Sequence, residues 1–289
     1  MPHPIDPAFT SLPYRRLAEA ALSRARDFNV THADFRFERV RYQDIRVRDG
    51  HLQGAGDTED LGFAVRVILG GAWGFASGVV LTPESAVQVA ETAVRTAQVA
   101  AAMTTRPIAL APEPVHGDVE WVSSYEIDPL SVPLAEKVDL LAGWSRKLLE
   151  GDAVAHSSGL LRQVVENKFY ADLAGTMTTQ QRVRLEPEFE VHGADEASGR
   201  FDSMRTIAPP VGRGWEYLVG DGYDWKAVLE DFWRDFIAAV DDIKDLLTVN
   251  ADHGFDILQV MDVSSALGKQ MTLTATSIGL GQGDTFAGA

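Results

Sequence analysis

The chain contains no cysteine. That excludes a disulfide framework and leaves no thiolate to serve as metal ligand or nucleophile. No window approaches 18 uninterrupted apolar residues, so a membrane-spanning helix is not expected. Basic residues are outnumbered, 26 against 42 acidic ones in 289, giving a formal net charge of −16. A nucleic-acid surface needs clustered Lys and Arg, so that class of partner is not expected either. The opening, MPHPIDPAFTSLPYRR, has no basic patch followed by an apolar core. A secretory leader is therefore not expected, and the cytoplasm is the expected location.

Catalytic patterns are also scarce. There is no Gly-x-Ser-x-Gly elbow and no Walker loop. The histidines are His3, His32, His51, His116, His156, His192 and His253, and none stands three to five residues from another. No helix can then offer two imidazoles to one ion, and surface or turn positions are expected for all of them. His253 reads as part of a turn before a strand. No catalytic, cofactor-binding or metal-ligating residue is assigned.

What is present is a 45% apolar composition, enough to bury a sizeable core. Pro13 to Phe28 places Leu17, Ala21, Leu22, Ala25 and Phe28 at helical spacing. Ala33 to Val40 alternates Phe35 and Phe37 with Arg36 and Glu38, the pattern of a half-buried strand. Two hairpin signals follow, Asp49-Gly50 and Gly70-Gly71, so residues 43–77 are expected to run strand, turn, strand, turn, strand in short pieces. Thr82-Pro83-Glu84 opens a helix to about Met103, because a Thr cap, a Pro in the first turn and an acid all suit a helix amino end. The proline-rich stretch Arg106 to Gly117 is the expected linker.

Pro129 to Leu149 carries a helical pattern, and Ala153 to Val191 is expected to form antiparallel strands turning at Ala174-Gly175. Gly212-Arg213-Gly214 lacks the third glycine and the context of a nucleotide fingerprint. Trp225 to Leu247 shows a full apolar stripe, with Asp231, Asp235, Asp241 and Asp242 largely off it, which reads as a core-facing helix with a solvated acidic side. Phe255 to Val260 is a further strand candidate. The expected fold class is α+β: an amino-terminal helix, antiparallel-strand, helix domain over 13–104, then a second antiparallel sheet-rich α+β region over 118–222. Residues 223–289 add a helix and an atypical tail.

The order Val47-Arg48-Asp49-Gly50, Asp60-Leu61-Gly62-Phe63, Val65-Arg66-Val67 and Gly71-Ala72-Trp73-Gly74-Phe75-Ala76-Ser77 resembles the amino-terminal domain of the TldD/PmbA family of gyrase modulators and metallopeptidases. The Trp-Gly-Phe-Ala-Ser ending is more similar to the TldD branch. The resemblance runs from about Pro13 to about Trp225. It implies a zinc peptidase that processes peptides within a closed dimer, with a His-Glu-x-x-x-His helix and a downstream cysteine on the metal. Here the strand-like Gly254 to Leu258 is followed by Asp262 to Lys269 without a histidine. Zinc is thus a family cofactor with none expected in this chain, and activity by the chain alone is not expected. Two readings follow: a TldD-like peptidase whose catalytic half is truncated or frame-shifted, or a noncatalytic PmbA-like chamber subunit or binding module. Both imply a homodimer, or a heterodimer with a TldD/PmbA-like subunit. If the tail after Phe232 is foreign to the fold, the stripe from Trp225 is expected to lack a partner.

Overall fold

The computed structural model describes residues 3–150, 154–195, 200–206, 210–220, 225, 227–232 and 234–235. His253, the strand candidate at Phe255 to Val260, Asp241, Asp242 and residues 262–269 lie outside them. Among the described residues no helix is long and apolar enough to cross a membrane.

A short helix α1 (Pro7–Thr10) precedes the amphipathic α2 (Tyr14–Asp27), which buries Leu17, Ala18, Ala21, Leu22 and Ala25. Strand β1 (His32–Arg48) turns at Asp49-Gly50 into β2 (His51–Leu69), which turns at Gly70-Gly71 into β3 (Ala72–Gly78). Both turns lie in the left-handed region, with φ of 50° and 75° at the first and 59° and 76° at the second. Two-residue hairpin loops require that geometry, which is why Asp-Gly and Gly-Gly occupy them. The strands between are long rather than short, because apolar residues recur at alternate positions near both ends of β1.

Helix α3 (Pro83–Ala101) starts at the expected cap, where the Thr82 hydroxyl accepts a hydrogen bond from Ser85 N. Residues 106–117 form an irregular strap leading to β4 (Asp118–Val122). A 3-10 turn (Pro129–Ser131) precedes α4 (Leu134–Leu148), so the helix begins later than Pro129. Pro133 at its amino end explains the start, since proline is tolerated there and not in a helix interior. The long strands β5 (Val154–Asp172) and β6 (Met177–Asp195) form a hairpin, with β7 (Arg200–Arg205) beyond and a short α5 (Glu216–Val219) after it.

All seven strands make one sheet in the order β3-β2-β1-β5-β6-β4, with β7 also on β6. Every pairing is antiparallel except β4 with β6. Strands β1 and β5 pair from Asp34↔Asp172 to Arg48↔Ser158, so a single sheet crosses from the 13–104 stretch into the 118–222 stretch.

Helices cover one face in two places. Helices α2 and α3 close an apolar cluster over Phe35, Phe37, Phe63, Val65, Val67 and Phe169. Helix α4 closes a second over Ile45, Val47, Leu161, Leu185 and Phe189, joined by Trp215, Leu218, Trp225, Leu229 and Phe232. The expectation that the stripe starting at Trp225 has no partner is overturned for its first turns. Trp225 is 1% exposed, and Leu229 and Phe232 are buried with it, because the far end of the sheet offers them apolar surface. The Gly212-Arg213-Gly214 stretch is part of the same seam: Trp215 N donates to Ile127 O, and the Glu216 carboxylate accepts from Ile127 N and Gly214 N.

Candidate functional site

Between the two apolar clusters the covered face of the sheet is polar. Arg39, Asn167 and Gln181 stand opposite one another on β1, β5 and β6. Arg39 Nη2 donates to Asn167 Oδ1 at 3.0 Å and forms an ion pair with Asp6. Asn167 Nδ2 donates to Gln181 Oε1, and Gln181 Nε2 donates to the Tyr125 hydroxyl, each at 2.8 Å. His3 stacks on Tyr125 with ring centres 4.1 Å apart. Four residues further along β1, beyond Arg41, Gln43 Oε1 accepts from Lys137 Nζ at 2.6 Å and from Gln163 Nε2 at 2.8 Å. Lys137 is 0% exposed, and burial pushes its pKa down to about 8 against the upward pull of Asp128 and Asp57. A perturbed lysine can mark a reactive site. Here it is sealed under α4 and serves as a structural donor.

The opposite face carries no helix among the described residues and is lined by ion pairs. Lys168 Nζ lies 3.0 Å from both Glu38 and Glu166, and Arg162 lies 2.7 Å from Glu186. Arg184 also pairs with Glu166. Near the Gly70-Gly71 end, Asp34 is 1% exposed and is held by His32, Arg36 and Arg66. Burial pushes its carboxyl up, but hydrogen bonds from His32 and Arg66 and the two guanidinium charges hold it below the usual range.

On this face lies the candidate site, a hollow of about 370 Å³ roofed by Glu113, Pro114 and His116 of the strap. Its floor crosses three strands at Arg36, Lys168, Tyr170, Thr178, Gln180 and Arg182. Arg36 and Tyr170 are direct cross-strand neighbours, as are Tyr170 and Thr178, and Lys168 and Gln180. Burial, with the carboxylates of Asp34 and Asp172, raises the Tyr170 phenol well above its ordinary value, so it stays protonated. Its hydroxyl lies 3.1 Å from Asp172 Oδ2, while Asp172 Oδ1 accepts from Gly175 N and Thr176 N. The arrangement supplies donors, acceptors and both charge signs on a ledge of extended backbone.

The six described histidines are scattered. His3 sits on Tyr125, His32 against Asp34, His116 on the roof of the hollow, and His156 Nδ1 lies 2.9 Å from Asp49. His192 stacks on Phe201, and His51 lies exposed on β2. Among the described residues no three of His, Asp or Glu are grouped to hold a metal ion. The donor set that the family resemblance implies for zinc is not found among the described residues. Sequence reasoning missed the hollow, because its lining is ordinary strand chemistry from three distant segments and a loop.

Comparison with known proteins matches residues 33–97 to the family model described as PmbA/TldA metallopeptidase domain 1. No curated protein matches the chain. Among solved structures, a protein from Thermotoga maritima MSB8, described as a proposed modulator of a DNA gyrase, superposes with a TM-score of 0.52 at 16% identity. It covers 69% of this chain and 44% of that one. A protein of like description from Bacteroides thetaiotaomicron VPI-5482 gives a TM-score of 0.57 at 13% identity, over 76% of this chain and 49% of that one. The chain thus spans less than half the length of either. At such identities the likeness is one of fold. Residues 33–97, which span nearly all of β1 with β2, β3 and most of α3, match the model of a PmbA/TldA first domain, in line with the resemblance carried by the motifs in residues 43–77.

Proposed function

We propose that this chain takes part in peptide processing of the TldD/PmbA metallopeptidase kind, with its described residues acting as a noncatalytic wall that contacts peptide and a partner subunit. The observation that supports this is the match of residues 33–97 to a metallopeptidase first domain, in a sheet whose open face carries the polar hollow. Hydrolysis in this reading belongs to a zinc-bearing subunit of the TldD type. The proposed setting is the cytoplasm, where a chain built without disulfides is at no disadvantage.

The test is zinc analysis of the purified chain together with hydrolysis of an unstructured peptide, alone and mixed with a zinc-bearing TldD-type subunit. No zinc and no cleavage alone, with chelator-sensitive cleavage in the mixture, is the expected result. Arg36→Gln should then raise KM in the mixture by about threefold to tenfold with kcat unchanged, as loss of a ground-state contact does. Stoichiometric zinc with chelator-sensitive cleavage by the chain alone would overturn the noncatalytic role.

A further inference from the structure

The two long outer flanks of the sheet are covered unequally. The outer edge of β6 is occupied piece by piece, by β4 at Met177 to Gln181, by a bridge from Val211 at Leu185, and by β7 from Glu190 to Asp195. The outer edge of β2 pairs with β3 only from Phe63 to Leu69. Of the 19 residues of β2, the twelve from His51 to Gly62 have β1 on one side and no strand among the described residues on the other. That stretch is exposed nearly throughout, and open space surrounds the Cβ position at Gly54. Alternate backbone N–H and C=O groups along such an edge form a ready template for another strand.

The side chains decide which strand. Asp57, Glu59 and Asp60 cluster on the free stretch, and its only ionisable nitrogen is His51. Asp57 accepts from Gln43 Nε2 at 3.2 Å, Glu59 lies 3.8 Å from Arg41 Nε and 4.0 Å from Arg39 Nε, and Asp60 has no ion pair among the described residues. At the other end, the nearby Arg46 and Arg48 are matched by Asp44 and Asp49, so the unbalanced charge there is small. Acids on an edge repel an acidic strand, including a second copy of this chain at net −16, and attract a basic one. Exposed apolar residues flank the gap, with Leu52 at one end and Val79 and Val80, just past β3, at the other.

We propose that the free edge of β2, residues 51–62, docks an extended segment of a partner protein that carries Lys or Arg opposite Asp57, Glu59 and Asp60. The segment adds to the sheet as a strand in line with β3, and its apolar ends rest on Leu52 and on Val79 and Val80. Main-chain hydrogen bonds hold it and the acids select its charge. This is separate from the hollow, and it stands whether or not the chain takes part in peptide hydrolysis.

The test uses the full chain and a fluorescein-labelled decapeptide in which Lys-Lys and Thr-Thr pairs alternate, so that Lys stands on both faces of the strand, with Val at each end. Two further peptides carry N-methyl groups on one or the other alternate set of backbone nitrogens. Strand addition expects saturable binding, weakened by about tenfold or more when one set is methylated and little changed when the other is. The near-isosteric D57N/E59Q/D60N chain, whose substitutions are all exposed, should bind about tenfold more weakly. Amide hydrogens within 51–62 should gain protection from exchange on binding while those of 63–69 do not change. Equal affinity for all three peptides, undiminished binding by the neutralised chain, or no saturable binding up to about 1 mM would each overturn the proposal.

Discussion

Lys137 shows how a single side chain shapes stability here. It is buried with one short hydrogen bond, to Gln43, and no carboxylate within ion-pair distance among the described residues. Its folded pKa of about 8 lies below the unfolded value near 10.4. Between those values the unfolded chain holds more protons than the folded one, so this group makes stability rise with pH across that window, by at most about 3 kcal/mol. Below pH 8 both states are protonated and the cost of burying the charge is paid in full. Lys137→Met should therefore stabilise the protein at pH 7 by about 1–3 kcal/mol, with the gain shrinking toward pH 10. Urea unfolding of both proteins at the two pH values checks this, and parallel pH profiles would refute it. Asp34 has the opposite sign. Its carboxyl is lowered despite burial, so its contribution is present above about pH 4 and fades as pH falls through its folded value. Asp34→Ala leaves His32, Arg36 and Arg66 without their shared acceptor and should cost about 3 kcal/mol at pH 7. The same curves measured at pH 7 and pH 3 should show that cost diminishing in acid.

Among the elements, α3 on β3 is the tightest fit. A Cβ at Gly74 would run into the Ala93 carbonyl oxygen and the backbone and side chain of Ala97. Backbone cannot yield as a side-chain tip does, so Gly74→Ala should destabilise by about 3 kcal/mol or more, read as a drop in thermal midpoint. Ala93→Gly should not rescue it, because the carbonyl is the obstacle. That glycine was visible in the sequence only as part of the Gly-Ala-Trp-Gly-Phe-Ala-Ser resemblance. The hairpins were readable from Asp49-Gly50 and Gly70-Gly71, and α3 from Thr82-Pro83-Glu84, since each of these is fixed by local chemistry. Strand length was not, because the middles of β1 and β5 are polar: Arg39, Gln43, Gln163 and Asn167 interrupt the apolar alternation, Arg39 bonding to Asn167 and Gln163 to Gln43 across the strands. The hollow was hidden for the same reason. Arg36, Tyr170 and Thr178 are brought together by register, and a one-residue slip in β5 would disperse them.

At the scale of the whole molecule, the decisive feature is that β1 joins β5 along its length, so the two apolar clusters are both anchored on these two strands. Cluster one rests on α2 and α3, cluster two on α4 and the Trp215 to Phe232 seam. Phe37 contributes to the first and Phe169 lies beside it in register on β5, while Ile45 of β1 and Leu161 of β5 sit in register within the second. Loss of order in either cluster removes support from strands that the other needs, so the described fold should unfold as one unit rather than as an amino-terminal part followed by a central part. Phe37→Ala and Leu161→Ala each empty a fully buried site and should cost about 3–4 kcal/mol. Calorimetry distinguishes the outcomes directly. A single transition lowered by both substitutions is expected, with its calorimetric and van't Hoff enthalpies in agreement. Two transitions, with Phe37→Ala moving one and Leu161→Ala the other, would show that the long strands transmit less than their pairing implies. The strap at residues 106–117 would then be acting as a boundary between independently stable parts.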